Sequence, residues 1–250
     1  MEWITEPQAW VAFLTLLALE IVLGIDNIIF ISILAGKLPT EQQPRARFIG
    51  LGLALIIRVA LLFSLSWVIG LTATLFTALG QEISGRDLIL IGGGLFLLAK
   101  ATYEIHENLE GEEGHASEKV KASFISVIIQ IIILDAVFSL DSVITAIGMV
   151  NQVGLMISAV VVAIAFMMLF AAPVGGFVSK HPTIKMLALS FLLLIGMSLL
   201  LEGFGQHIPK GYIYFAMGFS VFVEMINLRI RAKATPVHLR DAYVKEQSRS

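Results

Sequence analysis

Two stretches decide the fold: residues 19–29, LEIVLGIDNII, and residues 134–144, LDAVFSLDSVI. At a single offset of 115 they align Leu19 with Leu134, Glu20 with Asp135, Asp26 with Asp141 and Asn27 with Ser142. Each copy is an acid, a second acid six residues later and an uncharged oxygen-bearing residue directly after it, set in an apolar run. One such segment is an accident of composition. Two at one offset are an internal duplication.

The sequence around these copies is suited to lipid. Of 250 residues, 57% are apolar and 14% charged, too little charge to cover a water-soluble surface. Seven apolar runs lie at about 10–34, 49–70, 87–103, 123–148, 154–173, 186–204 and 211–228. Each approaches or exceeds the roughly 20 residues that cross a hydrocarbon core about 30 Å thick. The expectation is an all-α, multi-pass membrane protein with about seven transmembrane helices. The runs at 87–103 and 211–228 are short enough for a tilted or partly re-entrant arrangement. The first run follows MEWITEPQA, with two Glu and no base, and itself carries Glu20 and Asp26, unlike a cleavable signal peptide. The first helix is expected to stay.

Fourteen bases fall in segments that are cytoplasmic if the N-terminus is outside: Lys37, Arg45, Arg47, Lys100, Lys119, Lys121, Lys180, Lys185, Arg229, Arg231, Lys233, Arg240, Lys245 and Arg249. Only Arg86 and Lys210 fall on the other side, and Arg58 lies within a span. This bias predicts N-out, C-in. The acidic loop 104–121 reads as a solvated connection or a cation sensor, and the basic tail 229–250 as a cytosolic segment held near anionic lipid. The motif copies begin the first and fourth helices, so the two halves enter the membrane from opposite sides, as inverted repeats do. The division is one transmembrane domain, 1–228, with repeat one at about 10–106, repeat two at about 123–204 and an extra helix at about 211–228 that closes the three-plus-three core. Glu104 and Glu202 are weakly equivalent across the repeats.

Glu20, Asp26, Asp135 and Asp141 lie near mid-membrane, where an ionised acid costs about 2.5–3.5 kcal/mol on an insertion scale. Arg58 is the one well-embedded base, so protein cations cannot neutralise all four. Protons or a bound cation are the economical alternatives. Residues six apart differ by about 120° around a helix and about 9 Å along it. The two acids of a motif therefore share no clean face, and local unwinding near Gly24 and Ser139 would add carbonyl ligands. Carboxylates with Asn27, Ser142 and carbonyls suit a hard divalent cation such as manganese, magnesium or calcium better than copper or zinc.

Each residue also has a plainer reading. The acids could fix bundle packing through Arg58, helix ends or hydroxyls, and Asn27 and Ser142 could bond helix to helix. Arg58 could be the counter-charge of an empty acidic site, or an interhelical salt bridge or snorkelling base. Glu202 and Glu224, nearer the span ends, read as access-path acids or as hydrated, snorkelling ones. Gly92, Gly93 and Gly94 read as a close-packing element.

Composition excludes other classes. Seventeen bases against nineteen acids give no positive field for nucleic acid, and the absence of Cys removes disulfides, Cys-ligated zinc and iron–sulfur clusters. No HExxH, GxSxG, Walker or dinucleotide fingerprint is present, so no enzyme and no prosthetic cofactor are expected. A retinal receptor would need a central Lys in the seventh helix, and Lys210 precedes it.

EIVLGIDNIIF at 20–30, DAVFSLDSVITAIG at 135–148 and HPTIKMLALSFLLLIG at 181–196 make the chain resemble the TerC family of integral membrane proteins, over nearly all of 1–228. It looks like the small, membrane-only UPF0053-type bacterial members, without the cytosolic domains of longer relatives. The resemblance implies metal-ion export from the bacterial cytoplasmic (inner) membrane, manganese most of all. It also implies a transport site formed by Glu20, Asp26, Asn27, Asp135, Asp141 and Ser142. Tellurite, to which the family owes its name, is an anion and suits an acidic site poorly.

The resulting expectation is a divalent-metal exporter, with the metal as substrate, in which the motif segments alternately expose a central site. With no ATPase motor encoded, proton antiport is the expected coupling. The expected partners are the metal ion, protons and membrane lipid. Protein partners and homo-oligomers are not specified by the sequence. Two alternatives stand beside this reading: export of a small cationic or zwitterionic metabolite, and a non-transporting membrane partner protein with a structural cation.

Overall fold

The computed structural model describes residues 7–78, 80–110, 123–150 and 152–230, and within them the side chains at 23, 26, 65–67, 78, 81, 141, 144, 145 and 147–149 lie outside the description. The acidic loop beyond residue 110 and the tail from 231 onward are likewise outside it.

The apolar runs fold as helices α1 (Pro7–Ala35), α2 (Gln43–Phe63), α4 (Gly85–Leu109), α5 (Phe124–Met149), α6 (Val153–Lys180), α7 (Pro182–Gly203) and α8 (Lys210–Ile230), with a short α3 (Leu65–Gly70) after α2. Of these, α1, α2, α4, α6, α7 and α8 are long and apolar enough to cross a membrane. Helix α5 has 26 residues, of which Phe124–Leu140 form an apolar stretch.

Three expectations need correction. The run at 49–70 is not one helix: α2 ends at Phe63, α3 follows, and an antiparallel hairpin of β1 (Thr74–Ala78) and β2 (Gln81–Ser84) leads into α4. Gly80, at φ 79°, closes that hairpin with a backbone conformation that side-chain-bearing residues rarely adopt. The run at 87–103 is not short, because α4 begins earlier and runs 25 residues. Its start is fixed by a capping box, in which the Ser84 amide donates to Asp87 Oδ2 at 2.9 Å while the Asp87 amide donates to Ser84 Oγ at 3.3 Å. The extra helix, α8, also runs its full 21 residues. It packs mainly on α7, with Ile213 and Met217 against Phe191, and most of its surface is exposed.

Water cannot drive helices together within lipid, so close packing must. The most extensive contacts are α4 with α7 and α1 with α6, followed by α2 with α5 and with α6. Small residues mark each crossing. A methyl at Gly94 of α4 would lie 2.7 Å from the Gly196 carbonyl oxygen of α7, and one at Gly203 of α7 would lie 2.9 Å from the Asp87 oxygen of α4. Early α4 thus meets late α7, and the two are antiparallel. Gly24 of α1 faces Met167 of α6, and Ser32 of α1 reaches the Ala171 carbonyl at 3.5 Å, so α1 and α6 are parallel. Gly50 of α2 faces Ile131 of α5, and Arg58 reaches Asp135 eight residues on in α2 and four on in α5. Helices α2 and α5 are parallel too.

Candidate functional site

Both motif copies lie inside uninterrupted helices, the first in α1 and the second in α5. The unwinding expected near Gly24 and Ser139 does not occur. Gly24 serves packing instead, since a methyl there would come within 2.5 Å of Met167 Sδ. Ser139 is fully buried and donates to Asp135 Oδ2 at 3.0 Å, one turn back.

Continuous helices change which motif residues work together. Glu20 and Asn27 are seven apart, as are Asp135 and Ser142, and seven residues return to within about 20° of the same face. The inward stripes are therefore Glu20, Gly24, Asn27 on α1 and Asp135, Ser139, Ser142 on α5. Glu20, Asn27, Asp135 and Ser142 are all buried. The sequence pattern emphasises the six-residue spacing of the acids; among the described side chains, it is the seven-residue pairs that turn inward together.

Arg58 of α2 stands between the stripes and is 2% exposed. Its Nη1 pairs with Glu20 Oε2. Its Nη2 donates to Asp135 Oδ1 at 2.8 Å and its Nε donates to the same oxygen at 3.3 Å. One guanidinium thus joins the first acids of the two duplicated segments. The rigid, planar fork matches carboxylate geometry, and its separate N–H groups let it hold two carboxylates at once. Ser142 donates to the Ser139 carbonyl at 3.2 Å and lies beside Glu20.

A cavity of about 50 Å³ adjoins this cluster, lined by Asn27, Arg58, Phe138 and Ser142 and also by Ser198, Glu202 and Lys210. Ile195, Ser198, Leu199 and Glu202 form one stripe of α7 along it. Ser198 and Lys210 carry no duplicated signature. Their only sequence signal is a polar residue one turn before Glu202 in an apolar run and a base just past it.

Both ends of α4 are tied by charge. Glu202 of α7 accepts from Arg86 Nη2 at 2.6 Å. At the opposite end, buried Glu104 pairs with Lys37 at 2.5 Å and Lys100 at 2.6 Å, and both ammonium groups lie within 5.8 Å of the Tyr103 ring centre. Glu104 and Glu202 thus occupy corresponding roles at opposite ends. Glu224 is away from the cluster, on a groove between α7 and α8, and accepts from Asn227 at 3.3 Å.

The side chains of Asp26 and Asp141 lie outside the described residues. Among the described residues no three His, Asp or Glu side chains are grouped to hold a metal ion. What the structure does bring together is Glu20, Asp135 and Arg58, with Asn27 and Ser142 on the same small cavity.

Comparison with known proteins agrees with this architecture. Residues 5–237 match the model of the integral membrane protein TerC family. A UPF0053 protein of Haemophilus influenzae is 59% identical over 231 residues, covering 92% of this chain and 98% of that protein. The UPF0053 inner membrane protein YgdQ of Escherichia coli is 57% identical over 235 residues, covering 94% and 98%. The UPF0053 inner membrane protein YoaE of the same organism is 56% identical over 230 residues, 91% of this chain but 44% of the longer relative. No solved structure matches. With six long apolar helices and a family match across nearly its whole length, the chain belongs to the TerC family of integral membrane proteins.

Proposed function

We propose that the chain exports a divalent metal cation, manganese by preference, across the bacterial inner membrane in exchange for protons. The observation that carries this reading is the meeting of the duplicated acids. Glu20 and Asp135, equivalent in the two copies, share Arg58 on a cavity also lined by their companions Asn27 and Ser142. Duplicated segments converging at mid-membrane are the usual placement of a transporter's site. In this reading Asp26 and Asp141 complete an all-oxygen donor set for a hard dication.

Helix direction supports seven crossings and an inverted repeat. If every long helix crosses, α1 and α6 are the first and fifth spans and run parallel, α2 and α5 are the second and fourth and run parallel, and α4 and α7 are the third and sixth and run antiparallel. All three relations hold in the packing. Leaving α5 out would reverse the first. Exchanging the repeats maps the α1–α6 contact onto α5–α2 and the α4–α7 contact onto itself. Rocking of one three-helix unit against the other would then move access from face to face, with N-terminus outside and C-terminus inside as the basic residues predict. Carboxylates that repel one another exchange a metal for protons. A cavity of about 50 Å³ fits a largely dehydrated ion or a water, which disfavours the metabolite alternative.

The pairing of Arg58 with both acids also favours a second reading, a static membrane partner protein with a structural ion site. The deciding experiment is manganese flux in sealed vesicles of purified protein, under inward and outward proton gradients, for wild type, Asp26→Asn and Asp141→Asn. Gradient-sensitive flux lost in both folded variants is the expected result. Metal binding without flux under any gradient would refute export and favour the static reading.

A further inference from the structure

The export reading leaves open what holds the site together when no cargo is in it, and Arg58 answers that from the geometry alone. It is the largest buried side chain outside the apolar set, 2% exposed, and it bonds one carboxylate from each repeat. It also lines the small cavity shared with Ser198, Glu202 and Lys210. Resting on that reading, we propose that Arg58 is a built-in stand-in for the cargo: its guanidinium occupies the Glu20–Asp135 pair in the unloaded state, and an entering dication displaces it from those carboxylates.

Three physical points support this. A guanidinium and a metal ion are alternative partners for the same carboxylate oxygens, and Asp135 Oδ1 already accepts two bonds from Arg58. The oxygens cannot hold both cations at contact distance without bringing like charges together in a low-dielectric site. Loading therefore requires Arg58 to leave the carboxylates, and the cavity beside it offers the Ser198 hydroxyl, while its Glu202 already pairs with Arg86. A monovalent ion carries no more charge than the guanidinium it must replace and lacks the bidentate fork. A dication carries twice that charge. Arg58 thus acts as a valence filter, excluding sodium and potassium from a site whose acids alone would accept them, and it spares the empty transporter two unpaired buried carboxylates while access changes sides.

The test is equilibrium manganese binding to purified full-length protein at one fixed, mildly alkaline pH for wild type, Arg58→Lys and Arg58→Gln, each with and without excess sodium. Arg58→Lys keeps the charge but loses the fork, so it remains informative if Arg58→Gln fails to fold. Affinity is expected to rise in the order Arg, Lys, Gln, with a gain of about tenfold or more for Gln. Sodium should compete measurably only in Arg58→Gln. A purely structural Arg58 predicts the reverse order, because loosening the pair would scatter the ligands. Binding in the wild type with equal or weaker binding in Arg58→Lys overturns the stand-in role while leaving export intact. No manganese binding in the wild type or either variant removes the export reading, and this inference with it.

Discussion

The α4–α7 crossing gives the sharpest mutational prediction, because three consecutive glycines meet three different surroundings. A methyl at Gly92 has no atom within 4 Å, one at Gly93 would collide with the Val137 side chain of α5, and one at Gly94 would lie 2.7 Å from the Gly196 oxygen and 2.9 Å from the Leu200 nitrogen. An ordinary carbon–oxygen contact is about 3.3 Å or longer, so Gly94→Ala is short by roughly 0.6 Å. The opposing atoms are backbone, and no rotamer change relieves them. Helix α7 must move out, at a cost of about 1–3 kcal/mol for overpacking. Gly92→Ala gains helix propensity of up to about 1 kcal/mol with no clash. Because Gly94→Ala gains the same propensity, the two variants should differ by the overpacking cost, about 1–3 kcal/mol. Gly196→Ala, with its nearest contacts at 3.1 Å, should fall between them. Reversible denaturation in mixed micelles, followed by circular dichroism, measures this order. Gly94→Ala as stable as Gly92→Ala would refute the close crossing of α4 and α7.

Removing Arg58 leaves two buried carboxylates without a base, so Arg58→Met should destabilise by about 3–5 kcal/mol, and the triple change Arg58→Met, Glu20→Gln, Asp135→Asn should recover most of that in the same titration. A triple variant no more stable than the single one would contradict the charge triad. At the other end of α4, both Lys37 and Lys100 pair with one oxygen of Glu104. Lys37→Met or Lys100→Met alone should cost no more than about 1 kcal/mol, because one base remains. Their combination should exceed the sum by about 0.5–3 kcal/mol. Strict additivity would show that the two lysines do not share Glu104.

Local periodicity carried much of this protein into view. Length and hydropathy of each run set the number and placement of helices, because lipid forces every backbone group into internal hydrogen bonds. The expected run at 123–148 becomes Phe124–Met149, and the run at 10–34 becomes Pro7–Ala35. The hairpin at 74–84 lies between the expected runs at 49–70 and 87–103, in a stretch that hydropathy alone reads only as a connection. The break depends on a positive-φ glycine and on pairing between strands.

The site was legible in part for the same reason. Duplication singles out Glu20, Asp26, Asn27, Asp135, Asp141 and Ser142 as a set, since a one-dimensional repeat is visible without any fold; of these, the structure describes the side chains of Glu20, Asn27, Asp135 and Ser142. Which residues face one another is decided by helix phase and by partners far away in the chain. Continuous helices turn the seven-residue pairs inward together, and Arg58 joins residues 38 and 77 positions away from it. No local pattern in α2 specifies that partnership. Likewise, Ser198 and Lys210 reach the cavity, and Arg86 reaches Glu202, only because α7 packs antiparallel on α4 and α8 packs on α7. Sequence by itself determined the membrane class, the helix inventory and the duplicated acids, all of which follow from local hydrophobicity and chain order. The tertiary structure alone decided the convergence on Arg58 and the cavity beside it, because side-chain packing between distant helices sets which polar groups can neutralise one another.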